Sequence, residues 1–296
     1  TRLRLEKLAI LKNYQDYDCS IISNARCLTE GINVPNLDAV AFVDPKQSAV
    51  DIVQAVGRAI RKADSKKFGI IFLPLFINLG DFKKYKKNKI DLSNFIKECP
   101  GYENTVNIIQ ALKSHDERLI LQLNELRTKK GEKPKSTNGS SGLTNFVFDL
   151  PTNISLDFTE SLVTNLIDAT TSSWYEMYGE LKQYKVKYKN CLVPIHYKTK
   201  SGLPLGSWVS NQRRKKSGIY QPALSDKQLE LLNDLDFIYD VELHQFEIFV
   251  QELKLYISSN GDALVPDRYV SPSGYSLGAT VNRYRGLKAG KEVSRG

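Results

Sequence analysis

Through residues 1–80 apolar side chains come in short runs parted by polar, glycine-bearing loops, and further on they recur mostly at helical spacing. Leu3, Leu5, Leu8, Ile10 and Leu11 predict a helix over residues 3–13. Residues 18–23 read as a short buried strand, 37–45 as a second apolar run ended by Pro45, and 68–74 as a last buried strand. Between these, Ile52, Val53, Val56 and Ile60 fall where a helix would bury one side. Strand, polar loop over 23–35, strand, helix and strand make an α/β order with the chemistry on the loops.

The pattern then changes. Residues 103–128 hold no Gly or Pro, and Val106, Ile109, Leu112, Leu119, Leu123 and Leu126 predict one long helix there. Residues 128–142 are polar and rich in Gly and Ser, the composition of a flexible linker. A strand-like piece, Phe146-Val147-Phe148, and an amphipathic helix fill 143–170.

Beyond them lies a repeat. Residues 180–218 align with 252–290 at an offset of 72, without gaps and with 16 identities in 39 positions. Leu192-Val193-Pro194 meets Leu264-Val265-Pro266, and Tyr197, Gly202, Gly206, Val209 and Arg213 meet Tyr269, Gly274, Gly278, Val281 and Arg285. Aligned glycines predict the same turns twice. The first copy reads as three helices, 173–188, 205–217 and 225–236, the second stopped by Gly218 and the third started by Ser225-Asp226. The second copy is expected to be truncated, with no counterpart of the third helix before Gly296. Trp174 and Trp208 become Phe246 and Thr280, and both tryptophans are expected in cores rather than as base-stacking platforms.

Charge points to a polyanionic partner. The chain carries a net +9 with a pI near 9.2. Ten basic residues and one acid lie between Glu180 and Lys216, whereas Lys83, Lys84, Lys86, Lys87 and Lys89 read as a solvated face. No apolar run approaches the roughly 20 residues that span a bilayer, so no membrane partner is expected. The N-terminus lacks the layout of a signal peptide. Cys19, Cys27, Cys99 and Cys191 form no C-x-x-C pair, and His115, His196 and His244 form no cluster. Disulfides and metal sites are therefore not expected, and the cytoplasm is the expected compartment.

The sharpest chemical signal is Q-x-x-G-R-x-x-R over residues 54–61. On a helix Gln54, Arg58 and Arg61 share a face, and two guanidinium groups there suit a phosphate that gains charge in a transition state. Alone, the string fits an amphipathic helix with solvated arginines equally well.

With the loop upstream, residues 19–62 resemble motifs V and VI of the superfamily 2 helicases, closest to the branch of type I and type III restriction motors and bacterial DEAD/DEAH-type helicases. The resemblance implies a partial second RecA-like motor domain over 1–80. It implies that Gln54 faces the nucleotide and that Arg58 and Arg61 reach its γ-phosphate, Arg61 as the arginine finger. Thr29, Glu30 and Gly31 would lie between nucleotide and nucleic-acid backbone. Asn33 would sit near the ribose, where many relatives carry Asp. For Glu30 and Asn33 plain loop capping is an equal alternative.

A motor also needs G-x-x-x-x-G-K-[ST] and an acidic pair for Mg²⁺, and no such string occurs. Gly290-Lys291 is followed by Glu292, and Asp116-Glu117 follows a helix-like stretch, not a strand. An N-terminal ATP-binding domain is expected outside this sequence. ATP and Mg²⁺ are expected to act in that larger enzyme, and this chain alone to bind neither tightly and to hydrolyse no ATP.

Each repeat resembles the helicase-associated domain, the first over 173–240 and the second over 245–296, after a helical connector and linker over 81–142 and a short connector over 143–172. That family is presumed to bind nucleic acid. In the middle helix Val209 is expected inward with Leu205 and Trp208, and Gln212, Arg213, Lys215 and Lys216 outward against nucleic acid, with Arg285 as the second copy's equivalent. Lys182, Lys185, Lys187 and Lys189 would widen the footprint. The chain thus reads as the C-terminal portion of an ATP-dependent helicase or translocase, on DNA in preference to RNA. The alternative is a non-catalytic nucleic-acid-binding module or remnant.

Overall fold

A computed structural model of the chain describes residues 37–43, 48–59, 69–78, 80–82, 91–132, 146–149 and 156–288, together with residues 6, 9, 21 and 154. The chain divides into two compact units, residues 1–180 and 181–296.

In the first unit β1 (Ala39–Ala41) and β2 (Ile70–Phe72) pair in parallel, with Val40 opposite Ile71. Parallel neighbours need a crossover, which includes α1 (Ala49–Ala59). Ser48 caps this helix, its hydroxyl accepting from Asp51 N at 3.3 Å. Ile52 and Val56 lie one turn apart and are buried with Phe42, and with Ile108 and Ala111 of α3 (Tyr102–Lys113). Of the helix expected over 3–13 only Glu6 and Ala9 are described, both helical. Of the strand expected over 18–23 only Ile21 is described; it is exposed and outside any strand, with no described strand beside it.

The long helix expected over 103–128 is two helices, α3 and α4 (Glu117–Glu132). The break is local in origin. The Ser114 hydroxyl donates to Ala111 O at 2.7 Å, and the Asp116 carboxylate accepts from Arg118 N at 2.9 Å and Leu119 N at 3.2 Å, capping the next helix. With α2 (Leu92–Glu98) and α5 (Leu156–Thr170), the pair encloses a core of Ile96, Ile109, Leu123, Phe158 and Leu162. Residues 146–148 are not a strand: Phe146 and Phe148 pack on that core and Val147 is exposed, an alternation of burial without a ladder.

Helix α6 (Ser173–Tyr188) meets α4 at two glycines. A Cβ on Gly131 would clash with Glu176 O, and one on Gly179 with Thr128 O, at 3.0 Å from Glu132 N. The linker expected from Thr128 therefore starts too early, because α4 runs on to Glu132 with Gly131 buried against α6. Beside the glycines Arg127 is buried and pairs with Asp168 and, at 2.6 Å, with Glu176; Lys130 reaches Asp168 at 2.7 Å. The two carboxylates balance a charge that burial alone would penalise.

The second unit takes the rest of α6 and adds α7 (Leu205–Lys216), α8 (Asp226–Asp234), α9 (Val241–Asn260) and α10 (Leu277–Lys288). The first three helices of the repeat lie where periodicity and caps placed them. Gly218, at φ 79°, follows the end of α7, and Ser225 with Gln228 forms a capping box at the start of α8.

Both copies close the same turn. Tyr197 N donates to Pro194 O and Gly206 N to Tyr197 O; 72 residues on, Tyr269 N donates to Pro266 O and Gly278 N to Tyr269 O. The Tyr184 hydroxyl donates to Leu192 O at 3.3 Å and the Tyr256 hydroxyl to Leu264 O at 3.2 Å. Gly202 and Gly274 share a left-handed φ of 85° and 86°, which favours glycine. A Cβ on Gly206 or Gly278 would clash with Pro194 O or Pro266 O, so each helix starts hard against the preceding turn.

The copies differ where α8 lies. In the first copy Leu232 and Phe237 are buried and Cys191 is 1% exposed, its thiol donating to Leu235 O at 3.4 Å. No counterpart of α8 occurs among the described residues of the second copy, and Ala263, which stands for Cys191, is exposed.

Candidate nucleic-acid interface

On α1 the buried Ile52 and Val56 leave Gln54 exposed on another side of the helix. Among the described residues a Cβ on Gly57 would meet nothing within 4 Å, so they leave the backbone there open to close approach. The backbone of Arg58 belongs to the last turn of α1. Its side chain lies outside the described residues, as do Arg61, Thr29, Glu30, Gly31 and Asn33.

On α7 two residues expected outward face inward. Gln212 is 2% exposed, and its Nε2 donates to Trp208 O at 3.0 Å. Leu205 and Val209 are fully buried, and Gln212 continues their stripe one further turn along the helix. The polar run from Asn211 to Lys216 masks that periodicity in the sequence. Arg213 is also committed to structure. Its Nε donates to Ile238 O at 2.9 Å, its Nη2 to Cys191 O at 3.4 Å, and its guanidinium lies 5.6 Å from the centre of the Phe237 ring. Burial pushes its pKa below the usual arginine value. One carbonyl lies in the segment after α6 and the other just past the end of α8, and a guanidinium fork suits two acceptors at once. Arg285 repeats half of the arrangement, donating to Ala263 O at 3.3 Å while exposed.

The remaining cations of the first copy point elsewhere. Lys216 is exposed, with its ammonium 5.8 Å from the centre of the Tyr239 ring, and Lys215 is half-buried. Arg214 is exposed over the Tyr220 ring at 5.3 Å. Lys185 pairs with Asp236 at 2.8 Å.

A second group of cations gathers where α6 ends. The Tyr184 ring packs edge-on against Tyr197 at 5.0 Å, and Tyr188 approaches Tyr197 at 6.3 Å. These contacts hold the last turn of α6 beside the turn over 194–202. Lys187, Lys189, Lys198 and Lys200 are all exposed there. The Lys187 ammonium donates to the Tyr188 hydroxyl at 2.9 Å; that bond raises the lysine pKa and lowers the tyrosine pKa. Lys189 caps the helix at φ 62°, a left-handed conformation that its counterpart Gly261 adopts at φ 82°. Sequence reasoning counted Lys187 and Lys189 in a wider footprint but did not see that tyrosine packing brings them to Lys198 and Lys200.

Among the described residues no cluster of His, Cys, Asp and Glu can hold a metal ion, and no helix is long and apolar enough to cross a membrane. Cys99 and Cys191 are free thiols, both buried.

Two family models match the chain: the helicase conserved C-terminal domain over residues 3–63 and the helicase associated domain over residues 171–240. A probable helicase, A859L, of African swine fever virus is 38% identical over 78 residues, in both the Kenyan KEN-50 isolate and the Badajoz strain. The match covers 25% of this chain and 9% of the viral protein. Among solved structures, the ATP-dependent Type ISP restriction-modification enzyme LlaBIII bound to DNA aligns at a TM-score of 0.42 with 23% identity, over 98% of this chain and 21% of that one. The chain thus spans a small part of the length of the relatives it matches.

Proposed function

The chain belongs to the superfamily 2 helicases, and on that premise we infer that it serves an ATP-dependent helicase or translocase as the arginine side of the ATP site and as a nucleic-acid-binding tail. The observation that carries the reading is the Q-x-x-G-R-x-x-R string over 54–61, which begins on α1 and lies within the residues that match the helicase C-terminal domain. One side of that helix is buried in the core, while Gln54 and the backbone at Gly57 stay open. An exposed amide beside a glycine that leaves room for close approach fits a nucleotide lying along that face of the helix. Bound ATP with Mg²⁺ would supply the phosphoryl group whose transfer drives movement. The chain's own part is to place Arg58 and Arg61 against the charge that builds up there. The loop that cradles phosphates is not in this sequence, so a further ATP-binding domain must complete the site. Downstream, the basic first repeat supports a grip on nucleic acid, with DNA preferred over RNA because the resemblance runs to motors that act on DNA.

The test uses the enzyme that joins this segment to its ATP-binding domain. Arg61→Ala should abolish ATP hydrolysis, a loss of about 10³-fold or more, and leave DNA affinity intact. An Arg61→Ala enzyme that keeps normal ATPase activity would refute the assignment.

A further inference from the structure

Resting on the nucleic-acid reading above, we propose that the grip is confined to the first repeat, where Lys187, Lys189, Lys198 and Lys200 hold the phosphate backbone without reading bases. The two copies act as an internal control. They keep the residues that build the turn: Tyr184, Pro194, Tyr197, Gly202, Gly206, Val209 and Arg213 recur 72 residues on, and the tyrosines and Gly206 keep the same hydrogen bonds. Arg213 and Arg285 belong to this retained set because they bind backbone carbonyls, so their recurrence reports architecture.

The exposed lysines do the opposite. Lys187, Lys189, Lys198 and Lys200 become Ser259, Gly261, Val270 and Pro272. The second copy packs Tyr256 against Tyr269 at 4.9 Å, as Tyr184 packs against Tyr197, and so builds the same turn without those four lysines. Across the aligned spans ten basic residues face one acid in the first copy, against five and three in the second.

Lys189 adds an independent sign. Its left-handed backbone suits glycine, which the second copy has, yet the first copy keeps a lysine. A side chain held against local backbone preference, beside three other exposed lysines, serves something outside the fold. Phosphate is the fitting ligand, since lysine ammoniums are point charges that attract phosphate without selecting a base. Gln212 and Arg213, which are of the types that read base edges in pairs, are turned to the fold's own carbonyls.

The test measures binding of the whole chain to a fluorescein-labelled DNA duplex across a salt series. One variant combines Lys187→Gln, Lys189→Asn, Lys198→Gln and Lys200→Gln. A second combines Lys254→Gln, Arg268→Gln and Arg283→Gln, exposed cations of the other copy. The first should weaken binding at least tenfold and flatten the log–log salt slope by about 3–4, as four lost phosphate contacts require. The second should leave affinity and slope unchanged. Equal losses in both variants would overturn the confinement and keep nucleic-acid binding. No binding by the parent chain would overturn the proposal together with the reading it rests on. Two duplexes of unrelated sequence should bind alike, and a preference above tenfold would overturn backbone-only recognition.

Discussion

Arg213 separates a structural arginine from a base-reading one, because the two roles predict opposite pairs of results. Its Nε–H···O bond to Ile238 at 2.9 Å is well made, and its contact to Cys191 O at 3.4 Å is weak. A hydrogen bond from a charged donor contributes about 1.5–3 kcal/mol, and the cation over Phe237 about 0.5–1 kcal/mol more. Arg213→Ala should therefore destabilise the second unit by about 2–4 kcal/mol. Arg213→Lys keeps the charge but reaches one carbonyl, and should cost about 1–2 kcal/mol. Arg285→Ala serves as the comparison: that side chain is exposed and holds one carbonyl at 3.3 Å, so its loss should cost under about 1 kcal/mol. The assay is urea unfolding, with hydrogen exchange read on peptides covering 189–193 and 236–240, where the carbonyls lie. DNA affinity measured well below the unfolding midpoint should stay within about threefold for all three variants. Arg213→Lys with unchanged stability and a tenfold loss of affinity would refute the structural role and restore Arg213 to the interface.

Two further substitutions test the backbone geometry. Lys189→Gly should stabilise the unit by about 0.5–1 kcal/mol, the relief of a left-handed lysine less the entropy of glycine, and Gly261→Lys should destabilise it by a similar amount; thermal melts decide, and a destabilised Lys189→Gly would contradict the assigned strain. Gly179→Ala puts a methyl group into Thr128 O, a backbone atom that yields only if α4 and α6 part, and should cost about 2–3 kcal/mol. Unchanged urea midpoints for Gly179→Ala would mean that the two helices do not meet as closely as the glycines imply.

What the sequence could reveal divided by length scale. Local signals read true: the apolar spacing of Ile52 and Val56, the capping box at Ser225 and the stop at Gly218 each place an element end or a buried face from a few residues. Signals that depend on a distant partner did not read. The two helices of 102–132 looked like one because neither Gly nor Pro parts them, whereas Ser114 and Asp116 part them with side-chain hydrogen bonds. Gly131 looked like the start of a linker because its reason for being glycine is α6, some fifty residues away. Arg127 carries no local sign of its burial, since nothing near it in sequence announces Asp168 or Glu176.

The candidate interface shows a subtler failure, one of logic rather than range. The sequence places Arg213 against nucleic acid with Arg285 as its equivalent, and a residue matched across two copies invites the inference that it serves a partner. Within a repeat, what is kept twice is what both copies need, and both need to fold. Every matched residue with a described role in the turn makes a contact inside its own copy: the tyrosine hydroxyls to carbonyls, the glycines against backbone, the arginines to loop oxygens. A function held by one copy alone must appear instead among the mismatches, at exposed positions. Four lysines gathered by tyrosine packing, one of them seated where glycine would be easier, meet that condition, and the turn that carries them recurs in the second copy with no cation in their place.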